Sequence, residues 1–72
     1  MILRNRVREI RQEKGLTQQS LADQVGVTRQ TIIAIEKSKF APSVKLALEL
    51  ASALGAPLEE MFWLEREEGE SA

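Results

Sequence analysis

Two residue types that build many catalytic and metal sites are missing: the 72-residue chain has no cysteine and no histidine. Their absence excludes disulfides, the usual zinc sites and histidine-based acid/base or nucleophilic chemistry. Carboxylates remain, but no pair of them lies in an apolar context that would tune one as acid and the other as base. No apolar run approaches the ~20 residues of a membrane span. Arg4, Arg6 and Arg8 interrupt the N-terminal MILRNRVREIR before an apolar core of signal-peptide length can form. The expectation is a soluble, cytoplasmic, non-enzymatic protein with no cofactor and no metal. Its length allows one small domain with a thin stability margin and no room for a separate ligand domain. Without a disulfide or metal, such a chain relies on well-formed helix packing or on a partner subunit.

Charge of neither sign dominates, since the net charge is −1, but the two signs are segregated. Residues 1–45 hold nine basic and four acidic residues; residues 46–72 hold Arg66 against seven Glu. A basic half of this kind suits a polyanionic partner, and two solvated surfaces of different composition are the plainer reading.

The segment Thr17–Lys37, TQQSLADQVGVTRQTIIAIEK, carries the most information. It contains two short amphipathic helical patterns joined by a Gly-containing turn, the layout of a helix-turn-helix whose second helix enters the DNA major groove. Ahead of it, Val7, Ile10 and Arg11 share one side of a first helix over Arg4–Lys14, which Gly15 stops. Thr17 caps a second helix, Gln18–Val25, with Leu21, Ala22 and Val25 inward. Gly26 provides positive φ where the chain leaves that helix, and Val27 plugs the core beneath the turn. Thr28 caps a third helix, Arg29 to Lys37. At 100° per residue Ile32 and Ile35 face the core, whereas Arg29, Gln30, Ile33, Ala34 and Lys37 share the opposite face.

Residues 38–42 form a loop in which Phe40 is expected to pack on the core rather than stack on a base. Ser43 caps a fourth helix that runs to Leu54 and stops at Gly55. Its apolar arc spans about 220°, against the ~100° that one buried face requires, so this helix is expected at the centre of the core or packed on two sides. Pro57 opens a short fifth helix through Met61, with Ala56 as a weak N-cap. Met1–Leu3 and Met61–Leu64 are apolar runs at opposite ends of the sequence. They can pair as an antiparallel ribbon; the alternative is a frayed tail with Trp63 in a core crevice. Residues 67–72 are charged and Gly-containing and are expected to be disordered.

Over residues 4–62 the chain resembles the Cro/C1-type helix-turn-helix family, also called Xre. Gln18, Ala22 and Gly26 stand four apart, Ile32 and Ile35 follow, APSVKLALELASALG resembles the fourth helix of the family and PLEEMF the fifth. Arg11 and Glu36 match a family ion pair that is often buried. The short length, the apolar first residues and the FWLE ending resemble a subgroup of very small dimeric repressors whose chain ends pair as strands. One departure is the loop after the third helix, where the family commonly has Asn-Gly and this chain has Lys37-Ser38.

The resemblance implies an all-α, five-helix, lambda-repressor-like DNA-binding domain over residues 1–66, with a short two-stranded ribbon. It also implies double-stranded DNA and a second copy of the chain as partners. Base contacts are expected from Arg29 to guanine, Gln30 to adenine, Thr31, and Ile33 and Ala34 on thymine methyls. Solvated side chains are the plain alternative for Arg29 and Gln30. Phosphate contacts are expected from Gln18, Thr28, Lys37, Lys39 and Ser43. A dimer interface is expected at Leu54, Leu58, Met61 and Trp63. The same fold serves as an antitoxin or protein-interaction module, which stands as the alternative function.

Overall fold

The computed structural model describes residues 1–69, and its longer helices begin where hydroxyl side chains cap them. The order is β1 (Ile2–Asn5), α1 (Val7–Glu13), α2 (Gln18–Val25), α3 (Arg29–Glu36), α4 (Val44–Leu54), α5 (Leu58–Met61) and β2 (Phe62–Glu65). At α2, Thr17 Oγ1 accepts the Ser20 backbone N–H at 2.9 Å while Ser20 Oγ accepts the Thr17 N–H at 3.0 Å, satisfying two otherwise orphaned donors reciprocally. Thr28 and Ser43 cap α3 and α4 by accepting from Thr31 N–H and Leu46 N–H. α2 and α4 end on Gly26 and Gly55, both left-handed.

The core is built from the inward faces of all five helices: Val7 and Ile10 of α1, Leu21, Ala22 and Val25 of α2, Ile32 and Ile35 of α3, Leu50 and Leu54 of α4, and Met61 of α5. Val27 packs against this cluster from beneath the α2–α3 turn. Each fully buried Ile or Leu contributes roughly 1.5–3 kcal/mol relative to an exposed one, so α3 is held mainly through Ile32 and Ile35.

The two ends of the fold meet. β1 pairs antiparallel with β2 in the register Ile2↔Glu65, Leu3↔Leu64, Arg4↔Trp63 and Asn5↔Phe62. Arg4 Nε lies 3.2 Å from Glu65 Oε2, and the Arg6 guanidinium stands 5.2 Å from the centre of the Trp63 ring. Trp63 lies on this ribbon, not in a core crevice. Residues 67–69 are exposed, with a turn at 68–69; the rest of the expected disordered tail, 70–72, lies outside the described residues.

Several boundaries and packing expectations are corrected. α1 begins at Val7, not Arg4, because residues 2–5 are drawn into the ribbon and Asn5 Oδ1 accepts the Val7 N–H at 3.1 Å. α3 ends at Glu36, one residue short of Lys37. The N-cap of α5 is Pro57, not Ala56, and the helix is a single turn. Phe40 is 49% exposed, so it does not anchor the loop to the core. The apolar arc of α4 is only partly covered within the chain: Leu50 and Leu54 lie in the core, while Val44 and Leu48 remain 75% and 52% exposed. Leu54 and Met61 cannot form the expected dimer interface: at 1% and 0% exposure they are spent within the core of one chain. Leu58 is half-buried and Trp63 exposed, so both retain surface.

Candidate nucleic-acid interface

The face of α3 away from Ile32 and Ile35 is where the sequence concentrates its candidate base-reading residues. Arg29 and Gln30 occupy its first turn and are exposed, and their side chains have no hydrogen-bond or ion-pair partner among the described residues. Their guanidinium and amide groups are thus free to pair with an incoming ligand. Thr31, Ile33 and Ala34 are half-buried beside them. The Thr31 hydroxyl is 3.2 Å from that of Thr28, so these two side chains hold each other at the start of the helix.

The candidate phosphate ligands flank this face. Thr28 and Ser43 are exposed cap residues whose oxygens already accept a backbone N–H; the Ser43 hydroxyl proton is left to donate elsewhere, while the Thr28 hydroxyl is also engaged with that of Thr31. Lys37 is the C-cap of α3, and Lys39 stands two residues on; both are exposed. Gln18, the first residue of α2, is half-buried and donates from Nε2 to Glu36 Oε1 at 3.1 Å.

Beneath this surface lies a buried ion pair. Arg11 Nε donates to Glu36 Oε2 at 2.7 Å, Arg11 Nη2 reaches Glu36 Oε1 at 3.4 Å, and Arg11 Nη1 donates to the Leu16 carbonyl at 2.8 Å. The two side chains are only 9% and 4% exposed, and no buried side-chain polar atom among the described residues lacks a partner. The pair ties α1 and the α1–α2 turn to the last residue of α3. Removing one member of such a pair typically costs 3–5 kcal/mol, because the other charge stays buried without compensation.

Other structural contacts have no counterpart in the sequence reading. Asn5 Nδ2 donates to the Ile35 carbonyl at 2.9 Å and so fixes β1 to the C-terminal turn of α3. Its Oδ1 also accepts the Val7 N–H at the start of α1, and an Asn two residues before a helical pattern is a recognisable signal for such a local turn. Nothing in the spacing of Gln18 and Glu36 reveals their hydrogen bond. The basic half of the sequence is also not simply a basic surface: Arg4, Arg6 and Arg11 are engaged by Glu65, Trp63 and Glu36.

A helix-turn-helix family model matches residues 7–61. An HTH-type transcriptional regulator of Methanothermobacter thermautotrophicus is 52% identical over 66 residues, covering 90% of this chain and 96% of the relative. The HTH-type transcriptional regulator YgzD of Bacillus subtilis is 46% identical over 65 residues, covering 90% and 98%. Among solved structures, the restriction-modification controller protein C.AhdI of Aeromonas hydrophila superposes with a TM-score of 0.70 at 35% identity, over 75% of this chain and 78% of that one. The capped α2–turn–α3 unit, its exposed first turn and these similarities converge: the chain belongs to the Cro/C1-type helix-turn-helix family of DNA-binding transcriptional regulators, a non-enzymatic class.

Proposed function

We propose that this regulator acts as a cytoplasmic homodimeric repressor that reads a palindromic operator with α3 in the major groove. The observation that carries the reading is the first turn of α3, where Arg29 and Gln30 stand exposed and unpaired on a helix locked to the core. Arg29 is suited to guanine O6 and N7, Gln30 to adenine N6 and N7, and Thr31, Ile33 and Ala34 supply hydroxyl and methyl contacts beside them. Gln18, Thr28, Lys37, Lys39 and Ser43 hold the flanking phosphates and set the register of the helix in the groove.

One such helix reads only a few base pairs, and a two-fold dimer places two of them ~34 Å apart on successive major grooves. The uncovered apolar surface supports a second copy as partner: Val44 and Leu48 on α4, and Trp63 and Leu64 on β2, are all exposed. Trp63 and Leu64 also line, with Leu3, Pro42, Ala47, Leu58, Glu59 and Phe62, a largely apolar groove of about 330 Å³. Leu58 and Trp63 keep the interface role expected from the sequence, while Val44, Leu48 and Leu64 replace the buried Leu54 and Met61. Occupancy of a promoter by such a dimer represses by occlusion.

The test is selection from a random duplex pool at near-physiological salt, with an Arg29→Ala, Gln30→Ala variant in parallel. The expected result is a palindrome with half-sites about one helical turn apart, absent from the variant selection. Weak, salt-sensitive binding without enrichment overturns the reading and favours a protein-directed role such as an antitoxin.

A further inference from the structure

Glu36 carries a negative charge on the helix proposed to meet DNA. The ion pair with Arg11 needs a carboxylate, but one oxygen of that carboxylate also accepts from Gln18. We propose that Glu36 is a positioning residue for phosphate binding, holding the Gln18 side-chain amide with its nitrogen end inward and one N–H left for a DNA phosphate. The proposal rests on the reading of Gln18 as a phosphate ligand and adds the residue that makes it one.

A primary amide has a donor end and an acceptor end of nearly equal size, so packing alone scarcely distinguishes its two orientations. A carboxylate distinguishes them completely, because it accepts and cannot donate. Oε1 of Glu36 is 3.1 Å from Gln18 Nε2; the flipped amide would set two oxygens against each other. With the nitrogen fixed, one of its two N–H groups is taken by Glu36 and the other is free. The backbone N–H groups of Gln18 and Gln19, in the first turn of α2, have no acceptor within the helix. The free side-chain N–H of Gln18 thus stands beside the free backbone N–H groups of Gln18 and Gln19, a set of donors suited to one phosphate.

The charge of Glu36 does little to repel that ligand. Its side chain is 4% exposed and is met by the Arg11 guanidinium, so the phosphate faces a neutralised pair. The network also fixes spacing. Arg11 holds the Leu16 carbonyl just before α2, and Glu36 is the last residue of α3. The phosphate-binding end of α2 and the base-reading helix are therefore registered through a single carboxylate.

The experiment is a double-mutant cycle on the full chain. Affinity for a duplex selected from the random pool is measured by fluorescence anisotropy for wild type, Gln18→Ala, Glu36→Gln and the double variant. Glu36→Gln removes the preference for one amide orientation and should weaken binding roughly 3- to 10-fold, the span of one ordinary hydrogen bond. In the Gln18→Ala background the same change should have no further effect. Glu36→Asp keeps a charge for Arg11 but withdraws the oxygen from Gln18. It should reproduce the loss while remaining folded, which guards against a Glu36→Gln variant that unfolds. Without DNA, the side-chain NH2 resonances of Gln18 should shift and collapse towards solvent-like values in both Glu36 variants.

A Glu36 penalty that persists in full without Gln18 overturns the proposal and assigns Glu36 to holding α3 alone. Unchanged Gln18 resonances in the Glu36 variants also overturn it. An unchanged affinity for Gln18→Ala by itself overturns the phosphate role of Gln18, a failure separately visible from the other two.

Discussion

Ser38 adopts φ +58°, the one positive φ at a non-glycine position among the described residues. It lies just past the C-cap of α3, where its own N–H donates to the Ile35 carbonyl at 2.9 Å and the Lys39 N–H to the Ala34 carbonyl at 2.8 Å. These are the two bonds of a helix stop that normally places glycine at this position. The family commonly has Asn-Gly here, so the sequence comparison pointed to the right loop. Only the backbone shows that the chain keeps the left-handed geometry with a residue that resists it. Ser38→Gly should raise stability by about 1 kcal/mol, read as a Tm increase of roughly 4–8 °C for a domain of this size. The 3.4 Å contact from Asn5 Nδ2 to Ser38 Oγ would be lost, but the shorter bond to the Ile35 carbonyl remains. At the reading face the prediction is a contrast between two residues. Arg29→Ala should weaken operator binding by ~1–3 kcal/mol and relax preference at one base pair. Lys37→Ala should weaken all sequences alike and reduce the slope of log K against log salt by about 0.9. Titrations of matched and mismatched duplexes at several salt concentrations separate the two.

Among the elements, α2, α3 and α4 lie where hydroxyl caps and terminal glycines predict them, because those signals are local and the backbone has few other ways to satisfy its end groups. The start of α1 was not legible in the same way. The two terminal apolar runs suggest the ribbon, but of residues 2–5 only Ile2 and Leu3 are apolar, and it is pairing with a strand about sixty residues on that carries Arg4 and Asn5 into β1 instead of the helix. Phe40 was misjudged because an aromatic in a loop can be held by the core or simply left in solvent. The candidate site divides similarly. The reading face of α3 follows from helical periodicity, whereas the Gln18–Glu36 bond depends on how two helices cross. The turn between α2 and α3 gives a prediction at this scale. Gly26 has φ +72°, and a Cβ added there would meet nothing within 4 Å. Gly26→Ala therefore adds backbone strain without a clash, and should cost roughly 1–2 kcal/mol while leaving the fold intact. Chemical denaturation with an unchanged m-value is the expected signature. A collapse of helical circular dichroism would mean that the turn geometry itself had changed.

At the scale of the whole molecule the uncovered apolar surface and the two-fold reading of DNA make one joint prediction. Sedimentation at micromolar concentration should give a dimer, and a Val44→Glu, Leu48→Glu variant should give a monomer with unchanged helical content. Those side chains are exposed, so the substitutions remove association without hollowing the core. A monomeric wild type under these conditions would remove the basis for a palindromic site. The meeting of β1 and β2 also bears on how the protein is made. Translation proceeds at roughly 5–20 residues per second, so β1 is synthesised about 3–12 s before the segment that covers it. During that interval Ile2 and Leu3 have no strand to pair with. The ribbon joins residues about sixty positions apart, so unlike the locally capped helices it can close only after Phe62–Glu65 has been made.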